Sequence, residues 1–418
     1  MGLTVPGRCS ITLADMQSEL RARMLSVASR ADLESELARV GVDACAWPIF
    51  RQKSGVLAIK LHGLSCATAN ILKQIALAVG ADCAVHSRVV SGRRRRSDAV
   101  LFATSRQLAA IRVRLSSQPE CAARLGPEIE ALERRWSAAV RAIRIGRRTI
   151  DLSRRTHVMG IVNVTPDSFY DGGKYLDPRQ AVEQALRLED EGADFVDIGA
   201  ESTRPGAQGV PRQEQLRRLV PVLRALRGRL GVTISVDTTN AFVAEVALRE
   251  GAGMINDVSG LRGDGKMAAV VAKAGVPCVV MHMKGEPRTM QKNPRYRDVM
   301  GEISAALAES LGIGEAAGVV RSQMLVDPGI GFGKTVEHNL EILRRLREFR
   351  SLGVPVVVGP SRKSFIGRVS GLGPEERLEG TLAACVVAAR NGADVLRVHD
   401  VKAVRRALAV ADAVEGRS

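Results

Sequence analysis

Short apolar runs, each ending in a polar residue, recur along the C-terminal part of this 418-residue chain. HVMGIV runs into Asn163, DFV into Asp197, VTISV into Asp237 and GMI into Asn256. VPCVVM runs into His282, SQMLV into Asp327, VPVVVGP into Ser361 and Lys363, and DVL into Arg397 and His399. Between the runs lie stretches with apolar residues at helical spacing, near 178–191, 212–229, 240–250, 264–274, 299–316, 336–348, 376–391 and 401–414. Eight strands alternating with eight helices predict an α/β fold of the (β/α)8 TIM-barrel class. Such a barrel takes roughly 250 residues and places its chemistry where the strands end. Strand ends are predicted near 163, 197, 237, 256, 282, 327, 360 and 399. The loops that follow are rich in Gly and Pro, which permit unusual backbone angles and close approach to a ligand.

The segment ahead of the barrel reads differently. Strands are predicted at 55–61, 83–90 and 98–103, and helices at 11–39, 65–80 and 105–116, with a charged connecting helix at 127–143. The chain is thereby divided into a small α/β extension, 1–148, and a barrel, 149–418. The formal net charge of +16 belongs mostly to the extension, whose first 150 residues carry 24 Lys and Arg against 12 Asp and Glu. Basic patches attract anionic ligands and nucleic acid. Here there are few aromatics to stack on bases, and Arg93 to Arg96 read as a solvated loop, so no nucleic-acid partner is assigned. Seven cysteines without a CxxC pair read as reduced thiols. No apolar run reaches the roughly 18 residues that a membrane span needs. The first residues lack a basic start followed by an apolar core, so a cytoplasmic location without membrane partners is expected.

The strand-end residues suggest a chemistry. Asp237, Asn256 and Asp327 suit a flat, nitrogen-rich ring bearing N–H donors, since a carboxylate can accept two hydrogen bonds from an amino-pyrimidine edge. Arg397 and His399 are two apart on one strand and face the same side. With Asn163 they form a candidate anion site, and Lys363 adds a cation. Taken singly, each has an ordinary alternative. Asp237 precedes a helix and could be its N-cap, Asn256 could be a turn residue, and His399 a core or capping histidine. His282 lacks a second ligand at metal spacing, and Met281 could be plain barrel core.

Together, GIVNVTPDSFYDGG, DIGAESTRPGA, SVDT, INDVSG, MHMKGEPRTMQ, DPGIGFGKT, SRKSFIG and RVHDV closely resemble the dihydropteroate synthases, in the correct order over residues 157–401. The resemblance does not cover the first 150 residues. It implies a transferase of folate biosynthesis that joins 6-hydroxymethyl-7,8-dihydropterin diphosphate to 4-aminobenzoate with loss of diphosphate, working as a homodimer with Mg2+. It assigns the pterin to Asp237, Asn256, Met281, Asp327 and Lys363. The diphosphate falls to Asn163, Arg397 and His399, with Asn163 also a Mg2+ ligand. Aminobenzoate and loop closure fall to Asp167, Phe169, Thr203, Arg204, Pro205, Phe332, Lys363 and Ser364. Sulfonamides should compete there. A pterin-binding methyltransferase would share the barrel and the pterin pocket but would not need the TPDSF, STRP and SRKS segments. A catalytically silent scaffold would not need the strand-end set.

Overall fold

The computed structural model describes residue 25 and residues 30–91, 95–137, 142–165, 178–201, 209–286 and 289–417. Of the residues singled out above, Asp167, Phe169, Thr203, Arg204 and Pro205 lie outside these, as do Arg93, Arg94 and the start of the predicted helix 11–39. The chain divides into two compact units, Met1–Glu130 and Ala131–Ser418.

In the first unit, α1 (Arg30–Val40) and α2 (Trp47–Arg51) precede β1 (Leu57–Ser65), α3 (Cys66–Ala78), β2 (Asp82–Val85), β3 (Arg96–Ala103), α4 (Ser105–Ser116) and α5 (Glu120–Ala123). The three strands form an antiparallel sheet in the order β1-β3-β2. Strand β3 alternates buried and exposed residues, the signature of a sheet covered on one face. Its buried Ala99 and Leu101 share a core with Ile59, Leu72, Leu108 and Ile111. Ser65 caps α3 by accepting from Thr68 N, and Thr104 and Gln107 form a capping box on α4. Helix α6 (Leu125–Ser137) spans the division between the units and stops short of the 143 expected for it.

The reason is a hairpin that the sequence reading missed. Strands β4 (Ala142–Ile145) and β5 (Arg148–Asp151) pair antiparallel and belong to the barrel unit. Ile143 and Leu152 are buried in one cluster with Met159, Phe195, Met254, Val279, Leu325, Val357 and Val395. The Gln323 side chain accepts from Arg144 N at 2.9 Å and donates to Arg144 O at 2.6 Å. The hairpin is therefore the floor of the barrel, and a boundary at 148/149 would cut it in two.

Above that floor run eight parallel strands: β6 (His157–Asn163), β7 (Phe195–Gly199), β8 (Thr233–Asp237), β9 (Met254–Asp257), β10 (Cys278–Met281), β11 (Met324–Asp327), β12 (Val357–Val358) and β13 (Val395–Val398). Each pairs with its sequence neighbour, and β13 returns to β6. The ring closes where Val326 N donates to Pro355 O and bridges Val356. Helices α7 (Pro178–Asp190), α8 (Arg212–Leu226), α9 (Ala241–Arg249), α10 (Met267–Ala274), α11 (Val299–Ala316), α12 (Val336–Arg344), α13 (Ser364–Ser370), α14 (Leu378–Arg390) and α15 (Val401–Val414) follow in order. Outward strand residues such as Val162, Ile198, Val236, Val280 and Val398 join the helices in one large core. Both strand faces are buried, which is why the strands read as continuous apolar runs. No helix among the described residues is long and apolar enough to cross a membrane.

Truncating the floor should loosen the barrel without touching its mouth. Ile143→Ala is expected to destabilise the protein by about 2–5 kcal/mol, read from its denaturant midpoint, with kcat little changed at a temperature where it stays folded.

Candidate active site

Side chains along a strand alternate in direction, so the residue two places beyond a floor residue points into the barrel again. Phe195 is followed in this way by Asp197, Met254 by Asn256, Val279 by Met281, Leu325 by Asp327 and Val395 by Arg397. The layer above an apolar floor is thus mostly polar, with Ile161, Met281 and Gly359 as its non-polar positions. Its centre is Asp197, which is fully buried. Arg397 Nε donates to Asp197 Oδ2 at 2.6 Å, Asn256 Nδ2 to the same oxygen at 3.0 Å, and Ser235 Oγ to Oδ1 at 2.6 Å. Arg397 also reaches Asp237, its Nη2 donating to Oδ2 at 3.1 Å.

These contacts decide the ordinary alternatives. Asn240, not Asp237, caps α9, accepting from Phe242 N and Val243 N. The neighbouring Asp257 serves the turn, accepting from Ser259 N and Leu261 N, while Asn256 points inward to Asp197. Asp237 is nearly buried, and burial pushes its carboxyl up to about 7 against the pull of Arg397, with Asp197 and Asp257 adding to the rise. Burial raises Asp327 too, opposed by the Gly329 N–H and by Lys363, Lys334 and Arg397. Two carboxyls held in a dry pocket beside cations are poised to take N–H donors from a ligand.

Asp327 stands at the root of a glycine-rich loop, and its Oδ1 accepts from Gly329 N at 2.7 Å. Gly329 and Gly333 both have positive φ, and a Cβ on either would strike the carbonyl oxygen of His282 or of Lys284. The loop therefore lies directly on the chain that leaves β10. It brings Phe332 to Met281, Val258 and Met290 in a small apolar cluster. The Lys363 ammonium sits 4.3 Å from the centre of the Phe332 ring, a cation–π contact. Arg362, at φ 55°, makes the sharp turn that presents Lys363 at the head of α13, a helix absent from the sequence reading, whose first residue is the exposed Ser364.

Beyond the ends of β12 and β13, Ser361 Oγ accepts from His399 N at 3.2 Å and lies 3.1 Å from His399 Nδ1. The hydroxyl hydrogen is then placed to serve Nδ1, which leaves Nε2–H as a donor. Burial, then Arg397 and Arg362, pull the His399 imidazole down to about 4, so it is neutral near pH 7. It can therefore offer a hydrogen bond but no charge, whereas Arg397 beside it is a cation. Among the described residues no group of three or more His, Cys, Asp or Glu could hold a metal. Asn163, partly exposed at the end of β6, offers one amide oxygen. That suits Mg2+, which commonly takes one or two protein ligands and completes its shell with substrate phosphates and water.

Three contributors were not predicted. Asp197 had been noted only as a strand end, Ser235 hides inside VTISV, and Lys334 is buried in the loop after β11. Counting in steps of two from Phe195 and Thr233 would have placed Asp197 and Ser235 inside the barrel. Lys334 carries no such signal. At the base of the loop after β7, Glu201 accepts from Gln215 Nε2 at 3.1 Å, and Gln215 accepts from Thr238 Oγ1 at 3.2 Å.

Known proteins share this arrangement. Residues 159–399 match the family of pterin binding enzymes. The dihydropteroate synthase of Synechocystis sp. is 45% identical over 271 residues, which cover 65% of this chain and 94% of that protein. A solved structure of Yersinia pestis dihydropteroate synthase in a sulfonamide drug complex superposes with a TM-score of 0.63 at 42% identity, over 66% of this chain and 99% of that one. The Xanthomonas albilineans enzyme with 4-aminobenzoic acid gives 0.62 at 46% identity, over 66% of this chain and 98% of that one. With the family match, the identities and the shared barrel in agreement, this chain belongs to the pterin-binding enzyme family, as a dihydropteroate synthase.

Proposed function

We propose that the barrel mouth performs this reaction with the residues that converge on it. The supporting observation is the inward-facing set itself, in which the three buried carboxyls of Asp197, Asp237 and Asp327 stand with one amide and one guanidinium at the end of an otherwise apolar barrel. Asp237, Asn256, Asp327 and Lys363 hold the dihydropterin edge, with Met281 beside the ring. Asn163, Arg397 and His399 take the diphosphate. Asn163 would hold Mg2+, and the ion would supply counter-charge to the leaving group.

The C–O bond of the methylene breaks, and its electron pair departs with diphosphate. Arg397 and the His399 Nε2–H stabilise the charge that builds there. The methylene left behind is electron-poor and conjugated to the pterin. Asp237 and Asp327, held against the ring edge, stabilise that positive charge. The aniline lone pair then forms the C–N bond, and the amine loses a proton. The chemistry needs no covalent nucleophile. Phe332, Lys363 and Ser364, with Asp167, Phe169, Thr203, Arg204 and Pro205 from the two loops, form the aminobenzoate side of the reading. Exposed apolar residues on α12 and α14, among them Leu340, Leu378 and Val387, support a homodimer formed on that side of the barrel.

The deciding experiment supplies the full-length protein with the dihydropterin diphosphate and 4-aminobenzoate, with and without Mg2+. Mg2+-dependent dihydropteroate is expected. Lys363→Ala should lower kcat/KM by about 100-fold or more, since it removes a charge-assisted contact in a dry site. No product from folded wild-type protein would overturn the reading. Sulfonamides should compete with 4-aminobenzoate and raise its apparent KM without changing kcat. A purely non-competitive pattern would move the aminobenzoate site elsewhere.

Burial lifts the Asp237 carboxyl above its unfolded value of 3.8, so its contribution to stability is present at low pH and lost as pH rises towards about 7. A bound pterin donating N–H groups favours the carboxylate and releases that proton. The rise in Tm caused by a pterin ligand should therefore grow between about pH 5 and pH 7.5, and Asp237→Asn should flatten this dependence.

A further inference from the structure

Lys334 has no place in the chemistry above, yet it is almost completely buried one loop away from Asp327. Its ammonium donates to Phe332 O at 3.0 Å, lies 3.0 Å from His282 Nδ1, and reaches His282 O at 3.4 Å. Burial, then Lys334, Arg262 and Lys284, depress the His282 imidazole to about 3, so the ring is neutral and Nδ1 accepts. Every one of these acceptors is neutral. A buried cation in a neutral cage is costly, and a methionine would fill the same space without that cost.

Two features show what the cation does there. The first is mechanical. Phe332 O belongs to the glycine loop and His282 to the segment leaving β10, so one ammonium ties the two together where Gly329 and Gly333 already leave no room for a Cβ. Across the same join, His282 N donates to Asp327 O at 2.9 Å. The second is electrostatic. The charged groups around Asp327 are Lys363, Lys334 and Arg397, and all three favour its carboxylate against burial. Those around Lys334 are Asp327, Lys363 and Lys284, and only Asp327 favours its charged form. Lys363 and Arg397 face the ligand. Lys334 is the cation of the three that is spent on the protein itself.

We infer that Lys334 is a positioning residue for the pterin site, clamping the loop after β11, with Asp327 at its root, onto the end of β10. The inference rests on the reading that Asp327 binds the pterin. Burial pulls the ammonium down to about 7, so the charged form prevails below that pH. Loss of the cation raises Asp327, and pterin binding then fails at a higher pH.

The test is the affinity of full-length protein for the dihydropterin diphosphate, measured by calorimetry from pH 5 to pH 8 for wild type, Lys334→Met, Lys334→Gln and Lys334→Arg. Wild type should bind with an acid limb to which Asp237 and Asp327 both contribute. Lys334→Met should bind about 10- to 100-fold more weakly at pH 7, with the limb moved up by about one pH unit. Lys334→Gln keeps a donor but no charge and should show the same shift with a smaller loss at pH 7. Lys334→Arg should return the limb towards wild type. If Lys334→Met does not fold, the contrast between Gln and Arg carries the test. Neutral variants that are folded and share the wild-type limb would overturn the inference and leave Lys334 as packing. Wild type that does not bind the pterin at all would instead sink the reading of the site.

Discussion

One buried carboxylate organises the mouth of this barrel. Asp197 accepts from Arg397, Asn256 and Ser235, groups carried by three other strands. A carboxylate taken out of water must be met by donors or it costs several kcal/mol or more. Here the donors are Arg397, Asn256 and Ser235, and each is held in place by the bond it gives. Arg397 is held at its Nε by Asp197, which leaves its outer nitrogens directed towards Asp237 and the mouth. Asn256 is held by its Nδ2, which orients its amide. The demand for satisfaction of a buried charge thus fixes the geometry of two groups at the barrel mouth.

The same logic runs outward through the loops. Glycines at 329 and 333 let the loop after β11 lie on the backbone leaving β10. That contact places Phe332 beneath Lys363 and seats Asp327 against the Gly329 N–H. Ser361 does for His399 what Asp197 does for Arg397, since a hydrogen bond to Nδ1 leaves the other nitrogen as an N–H donor. Each wall of the site is therefore set by a partner that itself need not touch substrate. The apolar floor below, closed by Ile143, gives these polar groups a rigid base.

The barrel was legible because both faces of every strand are buried. Eight apolar runs followed by polar residues could be read directly, and the strand ends fell at or within two residues of the observed ones. Asp237, Asn256, Asp327, Lys363, Arg397 and His399 stand at the mouth as expected. The hairpin at 142–151 escaped because its strands are four residues each and rich in arginine, and only packing against the floor makes them strands. Helix α13 escaped because SRKSFIG reads as a turn until Arg362 adopts its left-handed conformation.

By itself the sequence determined the fold class, the order of the strands and the polar residues at their ends, because periodicity and motif spacing are local properties of the chain. Tertiary structure alone decided which of those residues support others. That Asp197 gathers three strands, that His399 is a neutral donor, and that Lys334 lies buried between two loops all depend on residues far apart in sequence. Burial and charge pairing across strands, which no local pattern encodes, made those assignments.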